Sequence, residues 1–160
     1  MRKYLKLCSV VLLIFFFSVN FAQAQGKILG TASDFSLQDP SKTTYTLSSY
    51  RGKPVLLLFW TTWCPFCRKA MEELKNIYPQ LTQDGWEVFT IDIQEPAYKV
   101  ENFMESHGLT FKLLLDKDGQ VAYAYSVLGV PTYVLINKNG EVVFKDNYFP
   151  KDTYKKLISQ

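Results

Sequence analysis

Six consecutive apolar residues, Val55 to Trp60, run almost directly into Trp63-Cys64-Pro65-Phe66-Cys67. A strand apolar on both faces belongs in the middle of a sheet that helices cover from both sides. Past Cys64 the period changes, and Cys67, Ala70, Met71, Leu74, Ile77, Tyr78 and Leu81 recur at three- and four-residue spacing. That is the pattern of a helix with one buried face. A central strand must therefore turn into a helix whose first turn carries two cysteines. Pro65 fits there, because its missing N–H would be unpaired in a first turn anyway.

The remaining segments supply neighbours for that strand. Residues 34–50 read as two short strands around the turn Asp39-Pro40-Ser41. Gly85 to Ile93 returns to strand, Pro96 opens a second helix carrying Val100, Phe103 and Met104, and Gly108 is placed to end it. Phe111 to Asp116 is a further strand, followed by a short helical or irregular connection through Val121 to Gly129. Pro131 to Asn137 and Glu141 to Asp146 form a hairpin, and a last amphipathic helix places Tyr154, Leu157 and Ile158 inward. Strand and helix alternate before an antiparallel pair, which predicts an α/β fold with a central mixed sheet flanked by helices.

The first residues combine Arg2, Lys3 and Lys6 with an apolar run from Leu7 to Val19 and an Ala22-Gln23-Ala24 site. This is the pattern of a secretory signal peptide over residues 1–24, leaving residues 25–160 as one domain. An uncleaved membrane anchor is the alternative, although the run is shorter than the ~20 residues of a span. The chain holds 18 Lys plus Arg against 15 Asp plus Glu. Since the signal takes three of the positive residues and none of the acids, the mature chain is formally neutral and shows no basic face for nucleic acid.

Cleavage also removes Cys8, so Cys64 and Cys67 are the only cysteines left. A bridge enclosing two residues constrains almost none of the unfolded chain, which excludes a stabilising staple. Structural zinc needs four ligands, whereas two cysteines and the lone His107 remain; His107 reads as a helix-end residue, and no metal or other cofactor is expected. A redox pair is left. Cys64 stands where unpaired amide N–H groups and the positive end of a helix favour a thiolate, and it is expected to be the exposed attacking sulfur. Cys67, one turn further in, is placed to resolve the resulting mixed disulfide.

The strand, the cysteine pair opening a helix and the distant Gly129-Val130-Pro131-Thr132 together follow the layout of the thioredoxin fold. The sequence resembles the TlpA/ResA-like branch of extracytoplasmic thiol-disulfide oxidoreductases, which lies close to the peroxiredoxin-related redoxin (AhpC/TSA) group. The resemblance covers residues 30–145 and includes an extra strand-helix unit between the two motifs. It implies that Trp63, Pro65 and Phe66 shape the surroundings of the sulfurs, that Pro131 is a cis proline facing them, and that the Val130 backbone pairs with an extended substrate. It further implies protein thiols or disulfides as substrates, such as apocytochrome c cysteines, and a membrane electron donor that keeps the pair reduced. An oxidase or isomerase direction stays open, because Pro65-Phe66 differs from thioredoxin's Gly-Pro.

Two positions depart from the pattern. Thioredoxin's buried acid, six residues before the first cysteine, is here Leu58; the glutamate that some TlpA/ResA-like members carry three residues after the second is here Ala70. Glu72 and Glu73 read as solvated helix residues, which leaves bound water as the expected proton acceptor for Cys67. Two other functions compete. Thr61, three residues before Cys64, suits a thiol peroxidase of the redoxin group, although Leu57 replaces the proline that commonly precedes such a threonine. A non-catalytic thioredoxin-fold binding module with an inert disulfide is the other.

Overall fold

The computed structural model describes residues 28–151 and 153–158, so the signal segment predicted for residues 1–24 lies outside it. Eight strands form one sheet: β1 (Gly30–Thr31), β2 (Ser36–Gln38), β3 (Thr44–Thr46), β4 (Val55–Trp60), β5 (Glu87–Ile93), β6 (Lys112–Asp116), β7 (Thr132–Ile136) and β8 (Glu141–Asp146). Their spatial order is β1-β8-β7-β4-β5-β6-β2-β3. Between them run the helices α1 (Pro65–Gln83), α2 (Ala97–Ser106), α3 (Gln120–Ala124) and α4 (Thr153–Ile158), together with a 3-10 turn over Leu47–Tyr50. β4 is parallel to β5, and β5 to β6, while β7 is antiparallel to both β4 and β8.

The continuous apolar run is the centre of this sheet. No residue of β4 is more than 2% exposed. Leu56, Leu58 and Trp60 face a core built with Met71, Leu74 and Leu81 of α1 and Val100 and Met104 of α2. Val55, Leu57 and Phe59 face a second core with Leu47, Val121, Ala122 and Tyr125. Shortening a side chain such as Leu58 to Ala would cost about 2–5 kcal/mol, the range for a core leucine whose surroundings collapse only partly.

α1 starts at Pro65 because Cys64 caps it: the Cys64 sulfur accepts a hydrogen bond from the Cys67 N–H at 3.2 Å. It stops at Asp84, after which Gly85, with φ of 83°, lets the chain reverse into β5. The connection after β6 forms a short helix, α3, whose Val121 and Ala122 N–H groups donate to the Asp116 carboxylate at 3.2 and 2.8 Å. Tyr154 of α4 is buried as expected; the inward placement expected of Leu157 and Ile158 lies outside the described side chains.

Candidate active site

Two strand registers bring the site together at one end of β4. In the antiparallel pairing Thr132 of β7 lies opposite Phe59, so Val130 and Pro131 arrive beside the residues that lead to Cys64. In the parallel pairing Asp92 of β5 lies opposite Trp60, so the end of β5 reaches the same rim. The Val130–Pro131 peptide bond is cis.

Both cysteines are free thiols. Cys64, as the thiol, donates to the Val130 carbonyl oxygen at 3.5 Å while its sulfur receives the Cys67 N–H. The exposure expected of Cys64 is not observed: it is 4% exposed, because these contacts draw the sulfur under the Val130 loop. Cys67 has no exposure at all. Burial pushes its thiol up to about 12, with Cys64 and the nearby Asp92 acting in the same direction and a backbone hydrogen bond from Thr61 opposing them. Cys67 is therefore a protonated thiol at neutral pH and must lose that proton before it can attack.

Around the sulfurs, Trp63 is 65% and Phe66 75% exposed, Pro65 is exposed in the first turn of α1, and Pro131 is buried. Phe66, Lys69, Ala70, Val130, Pro131 and Tyr148 line a groove of about 490 Å³ beside the pair. Glu72 and Glu73 lie on the exposed surface of α1. His107 caps the end of α2, its Nδ1 2.9 Å from the Phe103 carbonyl oxygen and its ring stacked on Phe103.

On β4 and α1 the two positions where related folds carry an acid hold Leu58 and Ala70. The structure places one on β5 instead, which corrects the expectation that none lies near Cys67. Asp92 is 1% exposed, and among the described residues neither of its carboxyl oxygens makes a well-formed hydrogen bond, although Glu95 lies against it. Burial, followed by the charge of Glu95, pushes its carboxyl up to about 8. Glu95 accepts from the Thr62 N–H at 2.5 Å and the Thr62 hydroxyl at 2.8 Å and is ion-paired with Lys99. Burial works against its ionisation, but these hydrogen bonds outweigh it and hold Glu95 below the usual range. Two carboxyls whose environments push them apart divide their roles between a proton holder and a fixed charge. The available signal was Asp92 itself, an acid set between Ile91 and Ile93 in a strand that is buried at its centre.

Residues 28–145 match the AhpC/TSA family. The chain belongs to that family. Within it, the chain is 43% identical to the thiol-disulfide oxidoreductase ResA of Geobacillus kaustophilus over 79% of this chain and 71% of that protein. It is 40% identical to the ResA protein of Bacillus subtilis over 70% of this chain and 63% of that one. Among solved structures, the thioredoxin domain of a thiol-disulfide oxidoreductase from Bacteroides vulgatus superposes with a TM-score of 0.72 at 22% identity, covering 84% of this chain and 98% of that domain. A thiol:disulfide interchange protein from a Bacteroides species gives 0.71 at 22% identity over 86% and 91%. The fold is thioredoxin-like, and this AhpC/TSA member is a ResA-like thiol-disulfide oxidoreductase with the pair Cys64 and Cys67.

Proposed function

We propose that the chain works outside the cytoplasm as a reductant of protein disulfides, through the sequence Cys64-Pro65-Phe66-Cys67, and is itself re-reduced by a membrane electron donor. The observation that carries this reading is the position of the Cys64 sulfur. It sits between the Cys67 N–H and the Val130 carbonyl, at the rim of the groove that Phe66 and Pro131 line. One atom thus meets the backbone of the resolving cysteine on one side and the Val130 carbonyl, part of a loop suited to an extended substrate, on the other.

The Cys64 thiolate attacks a substrate disulfide, forming a mixed disulfide and releasing the first substrate sulfur as a thiolate. Cys67 loses its proton, attacks the Cys64 sulfur, and displaces the second substrate sulfur. Two electrons pass from the enzyme dithiol to the substrate, which takes up two protons, and the enzyme is left as the disulfide. The signal-like residues 1–24 support a location where disulfides persist.

Acid-quenching native cells and alkylating free thiols tests both location and direction. A reductant kept charged by its donor is expected mostly as the dithiol, in the fraction released by disrupting the envelope. A pool that is mostly oxidised would overturn the reductant direction, and a pool confined to the cytoplasm would overturn the location.

A further inference from the structure

We propose that Asp92 accepts the proton that Cys67 must lose, with Glu95 as the positioning residue that sets when it can do so. Strand geometry supports this first. Side chains alternate across a strand, so Asp92 lies on the same face of β5 as Val88, which packs in the core shared by Cys67 and α1. Its cross-strand neighbour is Trp60, and the next residue, Thr61, gives Cys67 its backbone hydrogen bond. Asp92 is close enough to Cys67 for its charge to act on the thiol.

Chemistry supports it next. A buried carboxylate normally finds donors, since leaving one without them costs on the order of kcal/mol. Asp92 makes no well-formed hydrogen bond among the described residues, its one polar neighbour being Glu95, whose backbone N–H and carboxyl face it, and the buried hydroxyl of Thr61 is also unpartnered. Asp116, one strand over, shows the ordinary arrangement: it lies on the opposite face with two backbone N–H donors. Asp92 lacks such a pair of donors and faces the Glu95 charge instead, so its carboxyl exchanges a proton near pH 8, and the fraction ionised there is the form that accepts from Cys67. The charged or titratable groups that act on Asp92 are Glu95 before α2, Lys99 on α2 and Cys67 in the first turn of α1, while Cys67 in turn faces Cys64 and the Tyr133 hydroxyl on β7, which bonds to the Ala70 carbonyl.

The step balances. In the mixed disulfide the Cys67 S–H bond breaks and its proton passes to Asp92. The Cys67 sulfur bonds to Cys64, the bond from Cys64 to the substrate breaks, and the substrate sulfur leaves with the electron pair. When the enzyme is re-reduced, protonated Asp92 returns the proton to the Cys67 sulfur as it leaves. An acid tuned near working pH suits such two-way transfer better than one ionised at all times. Fixed by Thr62 and Lys99, the Glu95 charge beside it raises the pH at which Asp92 ionises.

The assignment rests on the exchange activity of the pair, and a two-phase assay separates the two. The reduced protein is mixed with equimolar 5,5′-dithiobis(2-nitrobenzoate): attack by Cys64 releases one coloured thiolate, and resolution by Cys67 releases a second. The wild-type second phase is expected to rise with pH and level off near pH 8. Asp92→Asn should slow the second phase about tenfold and abolish the levelling while leaving the first within about twofold. Glu95→Gln should move the levelling to lower pH. A second phase in Asp92→Asn within about twofold of wild type would overturn the assignment. So would a wild-type second phase that keeps climbing tenfold per unit beyond about pH 9, as unassisted thiol ionisation requires. Release of only one thiolate by the wild type would instead overturn the resolving role of Cys67.

Discussion

The two sides of the cysteine pair are built in opposite ways. On the β7 side, Phe66, Val130, Pro131 and Tyr148 form an open groove with exposed aromatic rings. On the β5 side, Asp92, Glu95 and Thr62 form a closed polar pocket from which water is largely excluded. Both sides are set by β4, through an antiparallel neighbour in one direction and a parallel neighbour in the other. Disulfide exchange needs room for a bulky protein partner and a secluded place for a proton. This fold keeps the two requirements apart by placing one on each side of a single strand.

Three experiments break or sharpen this contrast, beginning with the largest effect. Cys64→Ala removes the atom that both sides serve, so reduction of insulin by dithiothreitol should fall to the uncatalysed rate; activity above that background would mean the groove and the acid serve another nucleophile. The second effect belongs to the closed side. Asp92 keeps its proton in the folded chain up to about pH 8 but loses it near 3.8 when unfolded. Between those values the native state binds more protons, so this contribution to stability is complete below about pH 4 and is lost as pH rises toward 8. Urea unfolding at several pH values should therefore show Asp92→Asn gaining on the wild type as pH rises, by on the order of a few kcal/mol at most. Equal pH dependence in the two proteins would place Asp92 in contact with water.

The smallest effect belongs to the open side. Phe66→Ala should raise KM for a protein substrate by roughly threefold, a fraction of the burial energy of an aromatic ring that is partly exposed in the free enzyme. Its release of both coloured thiolates from the small aromatic disulfide should be unchanged. A slowed second phase in Phe66→Ala would show that the groove also governs resolution, and the division between the two sides would fail.

Most of the open side was legible in the sequence. The run Val55 to Trp60, the helical period after Cys64 and the Pro65 that tolerates a first turn are local signals. They locate the cysteines without knowledge of any distant contact, and Val130 and Pro131 follow from the resemblance. The closed side was not legible in the same way. Asp92 is 28 residues from Cys64, and only the parallel register that sets it opposite Trp60 makes it part of the site. The sequence near the cysteines offers only Leu58 and Ala70 at the positions where related folds carry an acid. β1 was hidden for a related reason: Gly30 and Thr31 carry no apolar pattern and become a strand only because β8 offers them partners at Val142 and Glu141.

The sheet's outer edges have a consequence for how a partner can attach. Its terminal strands, β1 and β3, are two and three residues long. Where β1 ends, the rim of β8 continues through Lys145 and Asp146. Short and charged margins give an incoming chain little backbone to zip onto, which is how sheets resist edge-to-edge aggregation. An unfolded client, rich in unpaired amides, thus gains few hydrogen bonds along the perimeter. On the function proposed above, docking then falls to the Val130 loop beside Cys64, and selectivity arises partly from what the rest of the molecule declines to hold.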